Sequence, residues 1–380
     1  MKMKNLIKSV LAGTLALSMC FSAFGAEGTK VDEVTLITLD EAVEIALKHS
    51  TSISNLEDTL DTLEKSRDSL YSAHDTWAMF QGEGAVGDEY LQFLNTFVEL
   101  DANIDNISKY KKLTEEGLRY GLMTIAVYIN EMESAIGMQE ENLAIAKEQN
   151  IINQTKYRLG LISKNELMEL ETQYASQQYS LEELKLNKDA LYLNLYKTLG
   201  TGYNKKYKIS LASEMVPLGI SKEGLETAIS AEIAKDVYLE ILRNSVDSAE
   251  FSKKVFSSQG PTYDTRKKNL NSAQRSYKDG KAAVESAARE SYTNILKYEQ
   301  KQNVLKKELE VANNTYNTVK VNQSLGRVTA LQARQAHLAV DSANYNIETN
   351  IYSHMLEKFV FEHPYVKAAS SAGTAAGTSN

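Results

Sequence analysis

Leu159-Gly160-Leu161-Ile162-Ser163 and, 166 residues further on, Leu325-Gly326-Arg327-Val328-Thr329 decide how this chain is read. Each stretch has the form of a long helix ending, a short corner and a second long helix beginning. A glycine just past a helix takes the left-handed conformation without Cβ strain, so Gly160 and Gly326 read as helix stops. Ser163 and Thr329 then read as N-caps, and Glu166 and Gln332, three residues later, as their capping-box partners. Ile162 and Leu167 occupy the positions of a hydrophobic staple. Written without gaps, Leu159–Gly200 aligns with Leu325–Val366: identity is thin, but the order of corner, cap and following helix is kept. A period this long indicates duplication of a large helical hairpin, since solenoid units repeat every 20–50 residues or so.

The rest of the composition agrees. Only Pro217, Pro261 and Pro364 interrupt 380 residues, and proline inside a helix costs about 3 kcal/mol. The 21 tyrosines, against one Trp and nine Phe, point to interfaces that are packed yet partly wet. Residues 1–25 have the form of a secretory signal: Lys2, Lys4 and Lys8, an apolar run from Val10 to Phe24, and the small residues Ala23 and Gly25 at −3 and −1. That run is shorter than the roughly 20 residues of a spanning helix, which disfavours an uncleaved anchor. Met19 before Cys20 disfavours a lipoprotein signal. Cys20 is the only cysteine, so the mature chain has no thiol chemistry, and losing the three signal lysines moves the net charge from −8 to −11. Nucleic acid and anionic lipid are thereby excluded as main partners, and a basic membrane-surface helix fails on the same ground.

The fold class is all-α: two repeats of long antiparallel helical hairpins, with at most a minor short strand near 207–211. The expected divisions are a signal over 1–25, a polar leader over 26–36, a first hairpin repeat over 37–203, an inter-repeat link over 204–219, a second repeat over 220–364, and a small, polar, disordered tail over 365–380. Thr38-Leu39-Asp40-Glu41 is a further capping box, and the helix that it opens is predicted to run to about Phe80. Gly82–Gly87 breaks it, and a very long helix follows from about Glu89 to Arg158, with Gly117, Gly121 and Gly137 as candidate kinks. The return helix covers Lys164 to about Thr198. In the second repeat a helix from Ser221 to about Ser258 precedes one over 264–324. Its seam runs through Leu270, Tyr277, Val284, Ile295, Gln302, Leu309 and Tyr316, with a stutter at Ser291. The last helix runs from Ala330 to about Phe361.

An exported chain with duplicated hairpins, each turning at Leu-Gly-x-[Ile/Val]-[Ser/Thr], resembles the TolC family of outer-membrane efflux proteins. Its opening, Ile37-Thr38-Leu39-Asp40-Glu41-Ala42-Val43-Glu44-Ile45-Ala46-Leu47, is also similar to that family's start. The likeness covers most of 37–362. It implies a homo-oligomer, a trimer, whose hairpins form a helical tunnel for efflux or export. It implies that the corners Leu159, Gly160, Leu161, Ser163, Leu325, Gly326, Arg327 and Thr329 dock a periplasmic adaptor (membrane fusion protein) serving an inner-membrane pump. It places Glu166 and Gln332 at the tunnel entrance, one acidic ring at most, and the protein in the cell envelope. One family feature is missing. Each repeat of the family inserts two membrane strands between its first two helices, and the matching places here, Gln81–Gly87 and Ser257–Thr265, are polar and too short for strands of about 9–11 residues.

No enzyme, cofactor or metal is expected. His49, His74, His337, His354 and His363 are scattered and form no dense metal spacing, and no Gly-rich phosphate loop or nucleophile elbow occurs. Glu115-Glu116, Glu140-Glu141, Arg334 and His337 read as solvated helix faces. The competing reading is a secreted structural or adhesive coiled-coil protein without transport, favoured by the missing strands and the acidic surface.

Overall fold

The computed structural model describes residues 34–81, 87–202, 207–255 and 260–367; the signal, the start of the leader and the tail beyond 367 lie outside them. Eight helices of ten residues or more occupy the described residues: α1 (Leu39–Lys48), α2 (Thr51–Gln81), α3 (Asp88–Arg158), α4 (Lys164–Leu199), α5 (Leu225–Ala234), α6 (Val237–Lys254), α7 (Tyr263–Ser324) and α8 (Ala330–Glu362). Two three-residue strands, β1 (Thr35–Ile37) and β2 (Tyr207–Ile209), pair in parallel. The all-α class with a minor strand near 207 is what the sequence indicated.

Helix α3 is unbroken over 71 residues despite its three glycines, about 105 Å at ~1.5 Å per residue. Its second half packs against α4 and α8, and its first half against α2 and α6. Helix α7, 62 residues long, packs against α6 and α8. The wall is therefore four helices wide along its whole length: α4-α3-α8-α7 on the corner side and α2-α3-α6-α7 on the other. At the far end Asn95 of α3 donates its side-chain N–H to the Val255 carbonyl just after α6 at 2.9 Å, a bond between the two repeats.

The best-buried apolar residues lie at the waist. Thr38 makes the reciprocal capping box with Glu41, and the helix it starts puts Ala42, Val43 and Ala46 against Leu122, Ile125 and Ile129 of α3 and Leu195 and Leu199 of α4. A second cluster joins Ile229 of α5 to Ala288, Tyr292 and Ile295 of α7 and Phe361 of α8. The predicted α7 seam is buried or half-buried throughout, with Ser291 fully buried at the stutter.

Three details differ from the sequence reading. The first helix breaks at His49-Ser50, where the Ser50 hydroxyl accepts from Ile53 N. The helix expected from Ser221 begins at Leu225 and breaks before Asp236, whose carboxylate caps α6 through Leu239 N at 2.9 Å. Competing caps inside an otherwise helical pattern end one helix and start another. Thr35–Ile37, expected mostly as leader, is the partner of β2: Ser210 N donates to Ile37 O at 2.8 Å.

Candidate functional site: the corners and the seam between the repeats

Both corners close by the same bonds. Gly160 and Gly326 have φ of +70°, and each is followed by a residue whose N–H reaches back five positions: Leu161 to Lys156 O at 2.8 Å, Arg327 to Asn322 O at 2.9 Å. With the glycine N–H bonds to Tyr157 O and Gln323 O, both at 2.9 Å, each is a complete Schellman stop. The caps differ. Thr329 and Gln332 bond reciprocally, whereas Ser163 accepts from Glu166 N and the return bond from the Glu166 carboxylate is not formed. The expected first capping box is thus only half made.

All ten residues singled out at the corners and the entrance are exposed. Leu159 and Leu161 are each 68 % exposed and Leu325 59 %. The two corners lie at the same end. Arg334, in the second turn of α8, reaches Glu141 of α3 through Nε at 2.8 Å and also Glu148, ten residues before the first helix stops.

That contact corrects the reading of Arg334 and Glu141 as solvated faces. Arg334 is held between two carboxylates of the first repeat; hydrogen bonding from it keeps Glu141 below the ordinary carboxylate range. His337 sits 3.1 Å from Asp341, with its ring edge-on to Tyr316 at 5.0 Å. These groups line a groove of about 460 Å³ between the repeats. Nothing in local spacing betrays it, because Arg334 and Glu141 are 193 residues apart.

Glu116 is corrected likewise. It is a half-buried acceptor for Tyr365 O–H at 2.8 Å and lies 3.2 Å from His363 Nδ1. Burial pushes its carboxyl up, but these two bonds outweigh that and leave it lowered. Nearby Asp236 is raised to about 6, chiefly by burial. Tyr365 and Val366, beyond the last long helix, pack on Leu239 of α6 and Val284 of α7, so the segment after Pro364 pins the second repeat to α3.

Among the described residues no cluster of His, Cys, Asp or Glu could hold a metal ion, and no helix is long and apolar enough to cross a membrane. The corner side offers instead four parallel rods, two bare corners and uncovered long edges on α4 and α7.

No protein-family model and no curated protein matches the sequence. Solved structures do match. The CmeC outer membrane channel of Campylobacter jejuni superimposes with a TM-score of 0.64 at 12% identity, over 94% of this chain and 94% of that one. VceC, an outer membrane protein of Vibrio cholerae, gives 0.58 at 12% identity over 85% and 95%. The open-state MtrE outer membrane channel of Neisseria gonorrhoeae gives 0.51 at 12% over 93% and 96%. The chain has the fold of these channel proteins. The fold implied by the TolC resemblance is therefore present. The places where that resemblance would put membrane strands, Gln81–Gly87 and Ser257–Thr265, lie partly outside the described residues.

Proposed function

We propose that this chain forms the wall of an oligomeric helical tunnel in an efflux or export assembly of the cell envelope, with its corners docking a periplasmic adaptor that serves an inner-membrane pump. The observation that supports this most is the placement of two identical Schellman corners, with Leu159, Leu161, Leu325 and Arg327 all exposed, at one end of a four-helix wall. Apolar side chains held bare on a rigid corner have no packing role within the protomer, and such residues mark a contact surface. Glu166, its carboxylate left out of the cap, is the entrance acid, and Gln332 is its neutral counterpart. The chain does no chemistry in this scheme; the pump supplies the energy and a trimer supplies twelve rods around the axis.

Light scattering of the mature protein, followed by pull-down of an adaptor encoded beside it, tests the reading. A closed oligomer that retains the adaptor, and loses it when Leu161→Asp is introduced, is the expected result. A monomer or open filament indifferent to the adaptor would establish the structural coiled-coil alternative.

A further inference from the structure

The chain does not simply stop at the end of α8. After Pro364, which is fully buried, Tyr365 and Val366 lie on Leu239 of α6 and Val284 of α7, and both are buried in turn. The polar groups of this segment turn toward α3. Glu116 of that helix accepts from the Tyr365 hydroxyl at 2.8 Å and lies 3.2 Å from His363 Nδ1. Lys367 closes the segment with an ion pair to Glu290 of α7 at 2.9 Å. Five residues therefore fasten three helices from the two repeats.

A second carboxylate shares this place. Asp236, 5 % exposed, uses Oδ1 to accept from Leu239 N at 2.9 Å, while Oδ2 has no hydrogen-bond partner among the described residues. The charged groups that act on it are Glu116 from α3 and His363 from the segment; the phenols of Tyr238 on α6 and of Tyr365 face it as well. Lys112 acts on Glu116 from their common helix. On the α5 side Lys235 is paired with Glu232 at 2.7 Å, and α7 presents the apolar Val284. Two carboxylates thus face donors enough for one. Burial opposes the charge on Glu116, but the His363 ring and the Tyr365 hydroxyl both go to it and keep it ionised. Asp236 is left with its burial, which raises its carboxyl to about 6.

We propose that His363 to Lys367 form a proton-tightened strap between the repeats, with Glu116 as its anchor and Asp236 as its sensor. When Asp236 is neutral, no charge is left unpaired beneath the strap, and Tyr365 and Val366 bed down on α6 and α7. When Asp236 is ionised, it repels Glu116 and lacks water, and lifting the strap is what lets water reach it. The folded value of about 6 lies above the ordinary 3.8, so docking strengthens as pH falls through 6 and weakens as it rises. With those two values, the ratio of docked to lifted strap is about tenfold larger at pH 5 than at pH 8. The strap belongs to a single copy and works whether or not copies assemble.

Amide hydrogen exchange of the full mature protein, corrected for the intrinsic rate at each pH, follows the strap directly. Protection in 363–367 is expected to be about tenfold greater at pH 5 than at pH 8, while 122–129, at the waist of the first repeat, does not change. Asp236→Asn keeps the cap and is expected to hold the strap at its acid level at both pH values. Glu116→Gln is expected to loosen the strap at both values and to leave the pH dependence in place, as is His363→Gln for the dependence. Equal protection of the parent protein at pH 5 and pH 8 would overturn the proposal. A dependence that survives Asp236→Asn and vanishes in His363→Gln or Glu116→Gln would overturn Asp236 as the sensor. A change that spreads equally to 122–129 would be loosening of the whole fold and would overturn the strap.

Discussion

Glycine at a helix stop costs nothing at positive φ, but three such stops here differ in what surrounds them. At Gly160 and Gly326 a Cβ would meet open space; at Gly200, with φ of +66°, it would lie 2.2 Å from His49 Cβ. Gly160→Ala is expected to cost only the left-handed strain, about 1 kcal/mol, and Gly200→Ala clearly more, because α1 must also move off the waist. Thermal melts of the two variants check the order. Asp236 has a pH signature. Its folded pKa of about 6 lies above its unfolded value, so ionised Asp236 weakens the fold above pH 6. That cost fades as pH falls from 6 toward 4. Asn caps as well as Asp, so Asp236→Asn is expected to be the more stable protein at pH 8, by roughly 3 kcal/mol, and to lose most of the gain at pH 4.5. Denaturant titrations at the two values decide it; equal stabilities would contradict the burial argument. Glu116 acts oppositely: its bonds to His363 and Tyr365 contribute at neutral pH and are lost only as pH drops through its lowered pKa.

Among the elements, those legible in the sequence were the ones whose ends are fixed by short-range chemistry. The Gly160 and Gly326 stops, the Thr38 and Thr329 boxes and the α7 seam all rest on residues within a turn or two of each other. The breaks at Ser50 and Asp236 carried the same signal, a hydroxyl or carboxylate before an apolar run, and were hidden by continuous helical periodicity on both sides. Of the β1–β2 pair only β2 was legible, as the short strand near 207; β1 was not, because three residues are too few for alternation to register and its partner lies 172 positions away. The Arg334 latch was invisible for the same reason of distance. Replacing it by an uncharged side chain of similar length, Arg334→Met, is expected to speed amide exchange in 330–340 and 141–149 while leaving the waist protected.

Across the whole molecule, what matters is how each edge is covered. The internal α3–α8 and α3–α6 contacts cover one face of the first repeat, while among the described residues no helix of the first repeat covers the equivalent face of the second repeat, along α7, to a like extent. A duplicated unit whose first contact is made internally and whose second is left bare joins head to tail, and such contacts either close into a ring or run on as a filament. The central claim is closure, and end-on electron micrographs of the purified mature protein test it most directly. The account predicts closed rings of one size with a central opening, and side views of rods on the order of 100 Å long. Isolated single wedges or filaments of indefinite length would contradict it.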